Sequence, residues 1–396
     1  MTTSNAMPWR LVIAACFGMF AATATGSTRA PFLTDMAADL QVSLPAIANL
    51  FGVTATMWGI SSYLVGFASD RYGRRVFLLV SPGLLAVAML SASYAPNYWT
   101  LVGIIIFAAM CCGAFTSSAL AEVSLQTADS HQGRALGYVM SGQTLTLLIG
   151  IPLSAWIGAK VGWRGTHVAL AALAVFSFCI MLYGLHVPES SKKGSAEPSR
   201  SNPSLREALT RPVTRLFLAL IFERVCFGLA TFYYASYLRT AYNLPINAVA
   251  LPLAGFAVGN IIGTFVGGQV ADRLPYRRVS FAVALCIAGL IALPWFLWQH
   301  SFLVTVCLGV LFAFFDALAR PSLLAALAEV PKEVRGTIMG LNSSIASIGW
   351  LSAALVGGWL YSGIGFGSFG PVVMVMCFAA AAVVLPDSRI RGRVTH

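Results

Sequence analysis

The sequence predicts an all-α integral membrane protein of about twelve transmembrane helices, arranged as two pseudo-symmetric six-helix bundles. Three observations predict it. Charge is scarce, apolar runs long enough to cross a bilayer follow one another along the chain, and one set of motifs occurs once in each half.

The scarcity of charge decides the solvent. Hydrophobic residues make up 58% of the 396 positions and charged residues only 10%, and the mean hydropathy is +0.79. A soluble chain is about half apolar and about a quarter charged. So few ionisable groups cannot cover a water-facing surface of this size, so most of the chain is built for lipid. The net charge of +11 fits a nucleic-acid binder, a membrane surface or orientation in a membrane. The basic residues sit in short segments between apolar runs, which argues against nucleic acid. Cys16, Cys111, Cys112, Cys179, Cys226, Cys286, Cys307 and Cys377 all fall inside apolar runs without metal-ligand spacing, and buried cysteine behaves as a small hydrophobe. His131, His167, His186, His300 and His396 fall at loops or span ends, also without metal spacing. No glycine loop with a phosphate-binding lysine is present, which argues against ATP drive. No enzyme motif, cofactor or metal is expected.

A spanning helix needs about 20 mostly apolar residues. By that measure the spans lie near 10–33, 46–68, 76–95, 99–121, 136–158, 165–187, 213–238, 247–270, 279–298, 301–325, 337–361 and 368–386. The polar start ending at Arg10 leads into an apolar stretch too long for a cleavable signal, so the first span is expected to stay in place. The one long polar stretch, with Ser190, Lys192, Lys193, Glu197, Pro198, Arg200 and Pro203, reads as a charged linker. It divides the chain into an N-terminal half (1–187), a cytoplasmic linker (188–212) and a C-terminal half (213–396).

Orientation follows from the loop arginines and lysines. With the N-terminus inside, the inner segments hold Arg10, Arg71, Arg74, Arg75, Arg134, the linker basics, Arg273, Arg277, Arg278, Lys332, Arg335, Arg389, Arg391 and Arg393; the outer ones hold Arg29, Lys160, Arg164 and Arg239. Both termini are expected in the cytoplasm. Trp99, Trp163, Trp298 and Tyr361 suit interfacial anchors.

The halves echo each other. After span 2 comes Gly66-Phe-Ala-Ser-Asp70-Arg71-Tyr-Gly73-Arg74-Arg75; after span 8 comes Gly268-Gln-Val-Ala-Asp272-Arg273-Leu-Pro275-Tyr-Arg277-Arg278. Ala-Leu-Ala-Glu122-Val ends span 4 and Ala-Leu-Ala-Glu329-Val ends span 10, and Arg134 and Arg335 open spans 5 and 11. Parallel six-helix repeats are a transporter plan.

The first of these loops resembles the loop 2–3 signature of the major facilitator superfamily, and the twelve spans, linker and second copy look like that superfamily across essentially the whole chain. Within it the chain is most similar to the drug:proton antiporter group of bacterial exporters. Span 5 resembles the antiporter motif through Gly150 and Pro152, but carries Ser154-Ala155 where members often have paired glycines, and the span 4 arginine of the family has no counterpart in Ala108 to Gly113. Physically, Gly66 allows helix ends to approach, Asp70 can cap a neighbouring helix, and Arg71, Arg74 and Arg75 can reach acids such as Glu122. With Gly73 and the second-copy residues Asp272, Arg273 and Glu329, these form a candidate cytoplasmic gate; the arginines also serve topology. Pro275 and one inserted residue make the second copy the weaker gate.

Two small-residue ladders stand out. Span 5 carries Gly142, Thr146, Gly150, Ser154 and Gly158; span 8 carries Gly255, Gly259, Gly263 and Gly267. Small residues at i and i+4 let helices pack closely in lipid. The resemblance places helices 5 and 8 at the interface of the halves, so the ladders with Pro152 are candidates for a rocking interface; close packing within one half is the other use of the same pattern.

Charges inside a membrane are costly and each is a functional candidate. Glu223 and Arg224 lie deep in span 7, Asp316 and Arg320 in span 10. Helical spacing puts Glu223, Phe227, Ala230, Tyr234 and Tyr237 on one face, an acidic and aromatic wall suited to a substrate, with Arg224 turned toward a neighbour. Asp316 and Arg320 share a face with Phe312 and can pair with each other. A carboxylate in a low-dielectric cavity holds a proton more readily than in water, which would couple solute to proton flux. Arg29, Asp35 and Asp39 are expected at the outer interface, with Arg29 placed to attract an anion at the outer mouth. Asn260, Gln143, Thr116 and Trp58 are softer cavity candidates.

Together these readings imply a monomeric secondary transporter in a bacterial inner membrane whose partners are protons, lipid and a small-molecule substrate, working by alternating access. Export coupled to protons is the leading expectation. Uptake of an organic anion and a non-transporting membrane sensor are the alternatives.

Overall fold

The computed structural model describes residues 7–127, 132–185, 209–274, 276–298, 301–327, 329 and 332–385. The linker expected at 188–212 lies outside them up to residue 208, as do the C-terminal arginines Arg389, Arg391 and Arg393, and His131, His186, His300 and His396.

Every long element is a helix. Eleven helical stretches are long and apolar enough to cross a membrane. One of them, Ala135–Gly184, has 50 residues, roughly 75 Å at the helical rise and more than twice a bilayer's hydrocarbon thickness. It is two spans joined at a corner. At Gly162 the backbone turns to φ 70, ψ 179, which breaks the helix, and that region is essentially reserved for glycine. The chain therefore crosses twelve times among the described residues. We number the crossings in order: span 1 (Trp9–Asp39), span 2 (Leu44–Val65), span 3 (Arg74–Ser93), span 4 (Tyr98–Gln126), spans 5 and 6 on either side of Gly162, span 7 (Arg211–Tyr242), span 8 (Ile246–Ala271), span 9 (Arg277–Leu297), span 10 (Phe302–Leu327), span 11 (Ser344–Gly363) and span 12 (Phe366–Val384).

Local sequence explains several ends. Ser43 caps span 2, its side chain accepting from Ala46 N, and Pro45 takes the first turn, where no N–H is needed. Asn97 caps span 4 through Thr100 N. Gly73, at φ 86, makes the corner between spans 2 and 3. Span 5 contains a π-helical turn over Thr146–Gly150 immediately before Pro152; the proline cannot donate, so the ladder loosens by one residue there.

Contacts divide the chain into two compact units. The first comprises Met1–His186 with Thr231–Ala257 and Ala354–Trp359; the second comprises Val187–Ala230, Val258–Ala353 and Leu360–His396. The first unit thus takes in one end of spans 7 and 8 and a segment of span 11 along with the first half. In each unit the interior is apolar. Leu11, Met19, Leu78, Phe115 and Met181 are among the buried side chains at the centre of the first, and Phe281, Trp295, Phe312, Phe369 and Val373 are buried in the second. Apolar side chains are also exposed all round, as on Tyr63, Trp99, Val175, Leu251 and Leu303. In water that would be an aggregating surface; in a bilayer it is the lipid face.

Candidate functional site

The four deep charges of the second unit meet in one cluster. Arg320 stands one helical turn beyond Asp316, so its guanidinium folds back and donates from Nη2 to Asp316 Oδ2 at 2.6 Å. Its Nε donates to Glu223 Oε1 on span 7 at 2.7 Å. Arg224 Nε lies 2.9 Å from the other Glu223 oxygen, Oε2. The two carboxylates are fully buried, and the guanidinium side chains of Arg224 and Arg320 are only 16% and 15% exposed. Two acids and two arginines sum to zero charge, and the pairing offsets the large cost of removing each ion from water. Asp316 Oδ1 makes no hydrogen bond, so the cluster retains an open acceptor.

Aromatic rings hold the cluster's geometry. Arg320 lies over the Phe227 ring at 3.8 Å and Arg224 over Trp350 at 5.9 Å, while Phe227 and Trp350 meet edge to face at 5.7 Å. Span 11 can come this close because of Gly349, where a Cβ would collide with Arg224 Cβ. Phe312, on the sequence face of Asp316, is wholly buried and packs against Trp295 of span 9 at 5.3 Å. In the first unit Tyr234 and Tyr237 are buried, and Tyr234 meets Phe256 at 5.7 Å. Asn260 is buried with Nδ2 making no hydrogen bond. Of the softer candidates, Thr116 turns back to Cys112 O, and the Trp58 carbonyl is where a Cβ on Gly113 would land.

For the gate residues the result is partial. The side chains of Asp70, Asp272, Arg134 and Arg335, and the surroundings of Gly66, lie outside the described residues. Arg71 lies over Tyr72 at 5.6 Å, Arg273 closes the last turn of its helix, and Glu122 accepts from Gln126 at 2.6 Å. In the second copy Arg277 donates to Ala325 O at 3.1 Å and to Glu329 at 3.4 Å. That is the kind of arginine-to-acid link the sequence had placed in the first copy.

At Gly142, Gly158, Gly259, Gly263 and Gly267 the ladders meet neighbours within the same half. A Cβ at Gly142 would run into the Cys16 carbonyl of span 1, and one at Gly158 into Phe32; Thr146 donates to Phe20 O at 3.1 Å. On span 8, Cβ atoms at Gly259, Gly263 and Gly267 would strike the carbonyls of Val310, Phe314 and Leu318 on span 10. The small residues let spans 1 and 10 lie backbone to backbone against them.

The end of the first unit that the sequence places outside holds pairs the sequence did not reveal. Arg239 forms a bidentate pair with Asp35, at 2.5 Å and 2.9 Å, and also donates to Thr34 and Pro31 O. Asp39 accepts from Trp163 Nε1 at 3.0 Å and from Arg164 Nε at 3.1 Å. Trp163 is therefore buried on an acid rather than anchored at the lipid interface, whereas Trp99 and Trp298 are exposed. Arg29, expected at the outer interface, is 2% exposed. No sequence signal joins positions some 200 apart such as Asp35 and Arg239. Arg29 gave a signal, a charge at a helix end, but not its depth.

Comparison with known proteins adds the following. The family model described as Major Facilitator Superfamily matches residues 15–354. The inner membrane transport protein YdhP of Escherichia coli (strain K12) is 25% identical over 365 residues, 91% of each chain. A chloramphenicol resistance protein of Streptomyces lividans is 27% identical over 266 residues, 66% of each. Among solved structures, a bacterial homolog of the human lysosomal transporter Spinster superposes with a TM-score of 0.76 at 14% identity, covering 98% of this chain and 96% of that one.

Proposed function

The chain belongs to the Major Facilitator Superfamily, a multi-pass secondary transporter and not an enzyme, and from that premise we propose that it exports small organic solutes in exchange for protons across a bacterial inner membrane. The observation that carries this reading is the buried cluster of Glu223, Arg224, Asp316 and Arg320. Two carboxylates compete for one guanidinium, and the loser's free oxygen is a place for a proton. Protonating Asp316 would leave Arg320 to Glu223 alone and change the charge of the cluster by one. A proton-loaded and a proton-free state would then favour different packings of spans 7 and 10, which is what coupling requires.

In this reading the halves 1–187 and 213–396, joined by the linker 188–212, alternate access to a shared path. The loop residues Gly66 to Arg75 and their second copy close its cytoplasmic end. The chloramphenicol resistance protein is a relative whose name describes resistance to a drug, which favours export over uptake.

The test uses inside-out vesicles with an acid interior and a fluorescent pH dye. Drugs, sugars, nucleosides and organic acids are added in turn to wild type, Glu223→Gln and Asp316→Asn. Proton release on adding one compound, lost in either variant, supports antiport. Labelled solute that exchanges in counterflow with no proton movement for any compound rejects it.

A further inference from the structure

Arg29 is a buried cation that meets no acid among the described residues. Its Nε and Nη2 donate to Gly26 O at 3.3 Å and 3.0 Å, and Nη2 donates to Thr54 Oγ1 at 2.7 Å. Nη1 is buried and makes no hydrogen bond. The carboxylates nearest in sequence are engaged elsewhere, Asp35 with Arg239 and Asp39 with Arg164. The ring of Phe51 lies 5.4 Å from the guanidinium on one side. That ring's other neighbour is Phe232, stacked at 4.2 Å and 3°.

Capping the end of the first helix does not account for this arrangement. A cation at a helix C-terminus gains far less than a guanidinium loses by leaving water. The contrast with the second unit is direct: there Arg224 and Arg320 each meet an acid, and here, among the described residues, the two N–H groups of Nη1 find no acceptor. In the same unit His167 uses Nδ1 on the Trp163 carbonyl at 2.9 Å and leaves buried Nε2 without a partner among the described residues. Thr54, which Arg29 reaches, is itself only half-buried, and half-buried residues continue along span 2 through Trp58.

We propose that Arg29 is the recognition point for an anionic group, a carboxylate on the transported solute, with Thr54 beside it and Phe51 forming the apolar wall. A planar carboxylate matches the guanidinium fork, and the ring would receive the solute's apolar part. The proposal rests on the reading of the chain as an organic-solute transporter, but not on proton coupling.

The experiment is thermal unfolding of the purified full-length chain with matched acids and amides: acetate and acetamide, benzoate and benzamide, succinate and succinamide. Wild type, Arg29→Lys and Arg29→Met are compared. At least one acid should raise the wild-type midpoint while its amide does not. The response should vanish in Arg29→Met, and the apparent affinity should weaken about tenfold in Arg29→Lys, the size of one charge-assisted hydrogen bond. Ligand-free Arg29→Met should be at least as stable as wild type, because an unneutralised buried charge is gone. A panel in which no acid outperforms its amide, or an Arg29→Met that unfolds several degrees lower, overturns the proposal and makes Arg29 a structural cap. Vesicles separate this from the coupling reading. Proton release driven by a neutral drug and unchanged in Arg29→Met removes this proposal alone. Carboxylate counterflow that needs Arg29 but moves no proton removes coupling alone.

Discussion

At the scale of single residues, Arg320 has the largest predicted effect. It holds two fully buried carboxylates at 2.7 Å and 2.6 Å. Replacing it with methionine strands Asp316 and leaves Glu223 only Arg224, and breaking a buried pair costs about 3–5 kcal/mol. We predict that Arg320→Met fails to unfold cooperatively or unfolds far below wild type. Arg320→Met with Asp316→Asn, which removes one charge of each sign and leaves Glu223 with Arg224, should recover most of the loss. Thermal unfolding of the two variants decides it, and a double variant no better than the single would show that the ions do not act as one unit. The four members were legible in the sequence because lipid makes any charge conspicuous. What the sequence could not show was that span 7 and span 10 bring them together, or that Phe312 turns into the core. The burial of Arg29 was not legible for a related reason: near a helix end the sequence gives position along the chain but not which neighbours, here Phe51, cover a side chain.

At the scale of elements the spans themselves were legible to within a few residues, because apolar length is fixed by bilayer thickness. The corner at Gly162 was legible only as a gap between two apolar runs; the φ of 70 that makes it is invisible in composition. Gly162→Ala should cost about 1–3 kcal/mol through backbone strain alone, read as a lower unfolding midpoint. The ladders were legible as close-packing surfaces, but a pattern of small residues names no partner, and the partners turn out to be spans 1 and 10. Span 8 supplies its own control. A Cβ at Gly263 meets the Phe314 backbone, whereas one at Gly268 meets nothing within 4 Å. Gly263→Ala should therefore destabilise by about 1–3 kcal/mol through overpacking, while Gly268→Ala should be neutral or slightly stabilising, as alanine favours helix. Equal effects at the two sites would mean that span 8 does not lie on span 10 through this face.

At the scale of the molecule, the ion pair Asp35–Arg239 and the stacked rings Phe51 and Phe232 tie spans 1 and 2 to span 7 within the first unit. These residues are about half the chain apart in sequence, so the contacts belong to neither repeat alone. In the alternating access proposed above, such contacts would break once per cycle. The pair is partly exposed, with Asp35 at 41%, so its net worth is about 1 kcal/mol or less. That is weak enough to open, yet bidentate geometry fixes its register. In a chain whose native cysteines have been replaced, Phe51→Cys with Phe232→Cys should be joined by a short bifunctional thiol reagent, and joining should stop solute counterflow while reduction of a cleavable linker restores it. Adding Asp35→Asn should slow the cross-linking, because the ion pair no longer favours the joined arrangement; combining Asp35→Arg with Arg239→Asp should return the rate toward that of the parent. Cross-linking that leaves counterflow intact would mean these side chains stay together throughout transport, and the moving contact would then have to lie elsewhere than at the outer ends of spans 1, 2 and 7.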